Sequence, residues 1–393
     1  MNLFYFWAFI YHMNALKLIV SQGRYFAPAL VFASLNIVFG TWATYIPAIK
    51  SHLQIDEGEL GAAIFFMALG TLILISLAPK LINVLGVGRA TGIGIVCFLF
   101  SFILPFIADD YIWLCTGMFI VGACAGFTDV AMNTLVSEIE KRDNIHIMSA
   151  NHGFFSLGGF LGAGIGGFFL AKEILPIQHL LVVIAVLFVV NLLFIGKYFR
   201  VSSEKLESHS INFKLIGPIL LIGLIAFFIM ATEGAIVDWS ALYLEKISKA
   251  KLSWLGLGYT IFSATMALGR FMGDAISSCF GSKRLILLGI FVALTGFVFI
   301  LLVEPVMALV GFGLVGLGLS VVIPEIFRLA GKAENIDAAL AISLVSGIGF
   351  MGFLVGPVLL GFLAELSSLK MSFVALLVFV AMSFFAALTL KNK

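Results

Sequence analysis

Twelve apolar stretches follow one another through this chain, each close to the ~20 residues that carry a helix across a bilayer. They lie at about 24–49, 58–79, 87–108, 111–137, 147–171, 176–198, 213–244, 254–277, 284–303, 305–328, 338–365 and 370–390. In hydrocarbon a backbone can satisfy its polar groups only as helices or as a closed barrel, and runs of this length select helices. The apolar fraction is 62% and the charged fraction 11%. A soluble domain has roughly 45–50% and 25%, and no soluble core could hide the difference. The expected fold is an all-α membrane protein of twelve transmembrane helices.

The stretches fall into two sets of six. VSSEKLESHSIN, residues 201–212, is the one long polar interruption after the start. Gly122, Gly153, Gly158, Gly162 and Gly167 align without a gap on Gly316, Gly347, Gly352, Gly356 and Gly361, a constant offset of 194. MALG at Met67–Gly70 recurs at Met266–Gly269, with the offset grown to 199. An even number of spans per half makes both halves run the same way, a parallel repeat with a site near the midplane between them. The expected organisation is an N-terminal arm at 1–23, a first six-helix bundle at 24–199, a linker at 200–212 and a second bundle at 213–393. The opening MNLFYFWAFIY is aromatic, with neither a basic start nor a small-residue cleavage site. It reads as an interfacial arm rather than a signal peptide, with Met13 as an alternative start.

Lys and Arg weigh on one side. With the N-terminus inside, 16 of them fall on the inner loops and ends and 6 on the outer ones, while Arg270 lies within a span. By the positive-inside rule, both termini and the linker are cytoplasmic. Net charge is only +2, which gives a nucleic-acid partner no support. Cys97, Cys115, Cys124 and Cys279 sit in apolar runs without CxxC or zinc spacing, and read as small packing residues. GFGLVG at Gly311–Gly316 lies within a span with no strand before it, and GVGRATG at Gly86–Gly92 is a loop entering a helix, so neither is a nucleotide-binding loop. No Walker lysine, metal-ligand cluster or nucleophile elbow is visible. The reading is a non-enzyme without cofactors or metals, a monomer whose partners are a small solute, protons and the bilayer.

Ionisable groups at membrane depth are functional candidates by default. Asp129 lies roughly 28 Å along its helix from Asp110, inside the hydrocarbon zone, with Asn133 one turn later on the same face. Glu233 and Asp238 lie in the seventh span, about 140° apart round a helix, so both face one cavity only if Gly234 loosens it. These three acids are the proton-coupling candidates. Trp239 and Tyr243, one turn apart, form either a wall of the binding cavity or an interfacial belt. Asn36 shares a row with Gly40 and Thr44 in the first span, beside Trp42. His152 opens the fifth span and aligns with Ser346 in the second half. Asn36, Trp42, Asn133, His152, Trp239 and Tyr243 are the solute-binding candidates. Gate candidates lie at the inner ends: Arg89, Glu138, and Arg270 with Asp274 at i,i+4. Glu325 and Arg328 read as a local i,i+3 pair.

GFTDVAMN at 126–133, EGAIVDWSALYL at 233–244 and GRFMGD at 269–274 carry a resemblance. Over residues 24–390 the chain resembles the major facilitator superfamily, and within it bacterial inner-membrane members related to the fucose–galactose–gluconate proton symporters. The resemblance implies that Asp129 and Asn133 match a helix-4 acid and asparagine that serve proton coupling and sugar binding. That family also uses a helix-1 aspartate; here helix 1 holds no acid and Asn36 is the nearest polar group, which leaves Glu233 a share of the coupling. GGFLGAGIGG and GFLVGPVLLG are similar to the glycine row of drug exporters, with Ala163 in place of its proline and Pro357 present in the second half. These rows read mainly as close helix packing. The expected function is import of a small polar, sugar-like solute across the bacterial inner membrane by proton-coupled alternating access. The competing readings are proton-driven efflux of drugs or metabolites, and a non-transporting sensor.

Overall fold

The computed structural model describes residues 14–390 except 56, 171, 173, 203–212, 252–253, 255–256 and 335. Among them the chain is helical throughout. The helices are α1 (Asn14–Ser21), α2 (Gly23–Leu53), α3 (Glu57–Leu85), α4 (Val87–Ser101), α5 (Ile103–Phe106), α6 (Tyr111–Asp143), α7 (Met148–Leu170), α8 (Pro176–Ile195), α9 (Phe213–Lys246), α10 (Leu257–Phe280), α11 (Ser282–Leu301), α12 (Pro305–Leu319), α13 (Val322–Gly331), α14 (Ala338–Leu366) and α15 (Leu369–Leu388). Ten spans among the described residues are long and apolar enough to cross a membrane; α4–α5 and α12–α13 each make one. The glycine-rich α7 and the more polar α10 complete the twelve-helix plan. Residues 1–13 of the expected arm lie outside the described residues; its last part is the short helix α1, which packs on α2 and also reaches α10.

Local chemistry sets the ends and breaks. Asp110 caps α6, its carboxylate accepting from the Trp113 N–H at 2.7 Å. Asn144 ends the helix in the left-handed conformation, φ 50°, which asparagine tolerates better than most residues. The tenth span breaks between α12 and α13 because Pro324 can offer no N–H to the carbonyl of Ser320 four residues back.

The repeat foreseen from the glycines governs packing. In the first half α2 lies along α7 and α3 along α6; in the second, α9 lies along α14 and α10 along α12. Gly158 sits against the backbone of Ala33, and Gly352, 194 residues on, against that of Phe227, itself 194 residues beyond Ala33. In lipid, helices associate through such close contact rather than through the hydrophobic effect. A Cβ at Gly158 would run into main chain that cannot move aside. Gly158→Val is therefore expected to destabilise the fold by about 1–3 kcal/mol, seen as a fall of several degrees in the detergent-solubilised unfolding midpoint. Gly164→Ala, where nothing stands within 4 Å, should not lower that midpoint and, by removing a mid-helix glycine, should raise it slightly if it moves at all.

The halves meet along two seams that exchange under the repeat, α7 on α10 and α3 on α14. Ser149 donates to the carbonyl of Arg270 across the first at 2.6 Å, and Ser343, again 194 residues later, donates to the carbonyl of Ile75 across the second at 2.5 Å. Both bonds lie toward the end of the molecule that carries the α6–α7 loop.

Candidate functional site

Deep in α6, Asp129 and Asn133 occupy one face, and the Asn133 amide donates to both the carbonyl and the carboxylate of Asp129, the latter at 3.2 Å. Two residues aligned by the repeat converge on them. His152 of α7 bonds to the Asn133 side-chain oxygen at 3.1 Å, and Ser346 of α14 donates to the second Asp129 oxygen at 3.2 Å. His152 is wedged between Phe32 and Phe327, the latter stacked on it at 5.8 Å. Asp129 thus spans the seam between halves, held by neutral partners, and no cation pairs with it among the described residues.

Glu233 is different. Arg270 of α10 stands 3.7 Å from its Oε2 and reaches across the α7 seam to the Ser156 hydroxyl at 2.6 Å. The Glu233 Oε1 and the Arg270 Nε–H are buried without partners. The side chain of Asp238 lies outside the described residues.

The remaining solute-binding candidates divide. Asn36, on α2, donates to the carbonyl of Phe155 at 2.9 Å and covers Gly159, which ties it to α7. Trp42 is 5% exposed and packs against Phe102 and Phe106 inside the first bundle. Trp239 is half-buried, with an indole N–H that has no partner. Tyr243 is fully buried beside Phe373 and Phe312, its hydroxyl donating to the carbonyl of Ile300 at 2.9 Å. Tyr243 is therefore a strut within the second bundle, reaching away from the seam. Tyr243→Phe should lower the unfolding midpoint, since it removes a buried hydrogen bond worth about 1 kcal/mol and orphans a carbonyl, while the half-saturating solute concentration for uptake stays as in the wild type.

The gate candidates rearrange. Arg270 and Asp274 share a helix but not a bond: Arg270 turns to Glu233, and Asp274 turns to α7, where its two oxygens accept from the N–H groups of Ser149 (3.0 Å) and Ala150 (2.6 Å). Glu140 of α6 takes the two preceding N–H groups, Ile147 at 2.7 Å and Met148 at 2.8 Å. A helix leaves its first four N–H groups without intrahelical partners and favours negative charge there. One carboxylate from each half supplies that need for α7.

Arg328 bonds both. Its Nε and one Nη bond Glu140 at 2.9 and 3.0 Å; that Nη also bonds Asp274, and the other bonds Glu325 and the Ser277 hydroxyl, at 3.0 Å to the latter. All five guanidinium donors are used, and Arg328 and Glu325 do pair as i,i+3. Lys332 stands 4.0 Å from Glu140 at the rim. In the α6–α7 loop, burial and the nearby Arg328 push the His146 imidazole down from its usual value.

Glu138 points away from this cluster, toward Lys141 of its own helix at 3.4 Å. The acid that crosses between halves is Glu140, seven residues after Asn133 and so on the face that Asp129 and Asn133 share. That spacing was the available signal. Arg89 takes no part in the closure; its guanidinium stands 5.9 Å from the Phe199 ring on the first bundle.

The match to known proteins is broad. The chain is 29% identical to an MFS-type transporter of Yersinia pestis over 92% of this chain and 94% of that one, and 30% identical to the membrane protein MosC of Rhizobium meliloti over 86% and 83%. In fold it is similar to the Escherichia coli fucose:proton symporter FucP, solved in an outward conformation, with TM-score 0.81, 15% identity, and 95% and 100% coverage. A human organic anion transporter, MFSD10, superposes with TM-score 0.73, 14% identity, and 93% and 100% coverage. The model of the Major Facilitator Superfamily matches residues 27–333, and the chain, with two parallel six-helix bundles closed on one side around buried charge, belongs to that family of membrane transporters.

Proposed function

We propose that this transporter carries a small polar, sugar-like solute across the bacterial inner membrane by alternating access, with protons as the coupled ion. The observation that carries the reading is Asp129, a carboxylate at membrane depth that bridges the two halves through neutral partners alone. An unpaired carboxylate is costly there when charged, and a proton is the simplest way to neutralise it. Its bond to Ser346 exists only while this seam is closed, so proton occupancy and conformation are linked.

Glu233 already has a cation in Arg270, so we place the coupling on Asp129 and the recognition of solute on the pair. An orphan acceptor, Glu233 Oε1, and an orphan donor, Arg270 Nε–H, on one ion pair suit hydroxyl groups, which donate and accept at once. With two acids, Asp129 and Glu233, and a single arginine on Glu233, the site favours a neutral polyhydroxylated solute over an anion. Asn36, Asn133, His152 and Trp239 stand as further contacts. Residues 24–199 and 213–393 act as the rocking bodies, the linker and termini lie in the cytoplasm, and the loop-side closure is the cytoplasmic gate. The glycine rows are accounted for by helix contact, so nothing specific favours drug efflux.

A thermal-shift screen against sugars, sugar acids, amino acids and nucleosides finds the solute through stabilisation by mass action. In proteoliposomes, addition of that solute should alkalinise the outer medium with wild type and not with Asp129→Asn. Equal alkalinisation by both proteins removes Asp129 from the coupling.

A further inference from the structure

The two halves use the same turn in different ways. In each, a glycine in the left-handed region, Gly86 at φ 83° or Gly281 at φ 79°, reverses the chain and a helix begins at the next residue. Two residues past Gly281, Lys283 places its ammonium on the carbonyls of Leu388 (2.9 Å) and Leu390 at the end of α15. The residue two past Gly86 is Gly88, which has no side chain to do this. Its N–H donates to the carbonyl of Val201 at 3.0 Å, and its α-carbon lies against the backbone of Tyr198. The chain leaving α8 is thus tied to the α3–α4 turn through main chain at Gly88.

Beside this turn in the first half lies a cavity of about 320 Å³. Asn83, Arg89, Arg200 and Ser202 supply its polar wall and Val84 and Phe199 its apolar lip. No acid lines it. Among the described residues neither arginine forms an ion pair, and Arg89 is set near the Phe199 ring. Val84, in the last turn of a spanning helix, is 85% exposed.

We propose that this cavity binds a phospholipid with an anionic headgroup. The lipid phosphate sits between Arg89 and Arg200, whose planar guanidinium groups match phosphate oxygens in pairs. Asn83 and Ser202 reach the headgroup hydroxyls, and the acyl chains leave over Val84 and Phe199. Basic pockets at the edge of a span suit such headgroups. The apolar lip and the position at the end of the span favour a lipid over a free phosphate ion. The bound lipid would hold Phe199–Ser202, where the linker leaves the first bundle, against the turn.

The test uses the full-length, delipidated protein in neutral detergent, with the unfolding midpoint followed during titration with short-chain phosphatidylglycerol. The expected result is a saturable rise whose apparent affinity falls at least tenfold in R89Q/R200Q. R89K/R200K, which keeps the charge without the fork, should lose less, about threefold. R284Q, the exposed arginine of the matching turn in the second half, should match wild type. An equal rise with phosphatidylcholine, an equal rise with inorganic phosphate, or an unchanged affinity in both double variants overturns the proposal.

Discussion

Replacing Arg328 by glutamine unlocks the loop side. The substitution leaves Glu140, Asp274 and Glu325 buried within one cluster, with Lys332 the remaining cation at its rim. Removing one partner of a buried pair costs about 3–5 kcal/mol, mostly through the charge left behind. Only the closed conformation holds the cluster dry. A loss at the low end of that range shifts the balance between conformations roughly a hundredfold toward the one that opens this side. Ser137 reports it, because its side chain is fully buried against Gly331 of the opposite half. In a background without the native cysteines, Ser137→Cys should react with a thiol reagent at least tenfold faster when Arg328 is glutamine. Arg328→Lys, with the charge but not the five donors, should fall between. An unchanged labelling rate in a folded Arg328→Gln protein means that Arg328 is not the lock.

Asp129→Asn should separate movement of solute from movement of protons. Asparagine keeps the volume and can still pair with Asn133 and Ser346, so the fold and the seam survive, but it cannot take up a proton. Uphill uptake driven by a pH gradient should fall to background. Counterflow exchange, which needs only solute binding and rocking, should persist at a rate within a few fold of wild type. Loss of exchange together with uptake would instead make Asp129 a solute contact or a structural link. Glu233→Gln is expected to show the other pattern, a weakened solute affinity with coupling retained, because Arg270 and not a proton balances that acid.

Much of the site was visible in the linear chain, and the reason is periodicity. Asp129 and Asn133 are one turn apart and could only share a face. His152 and Ser346 were matched by the 194-residue offset, and the structure brings both to that one pair of side chains. The closure was less visible. Arg270 and Asp274 at i,i+4 invited a local ion pair, yet each has a better partner on another helix. Glu138 is an acid near the inner end, but the helix turns it toward Lys141 and presents Glu140 to the other half. Arg328 counted toward topology as one basic residue among sixteen, while in the fold it is the hub. Trp42 and Tyr243, aromatic residues near polar ones, proved to be buried within the bundles.

Hydrophobic length, glycine spacing and loop charge are properties of the chain read in order, and each acts through geometry that a helix imposes on its own neighbours. They determined that this protein crosses a membrane as a doubled helical bundle and which polar groups stand on which face. The choice of partner across helices depends on how two bundles are seated, a matter of a few ångströms between residues as far apart as Glu140 and Arg328. Only tertiary packing decided that Asp129 stands without a cation among the described residues, that Glu233 has one, and that one arginine fastens both halves at the start of α7.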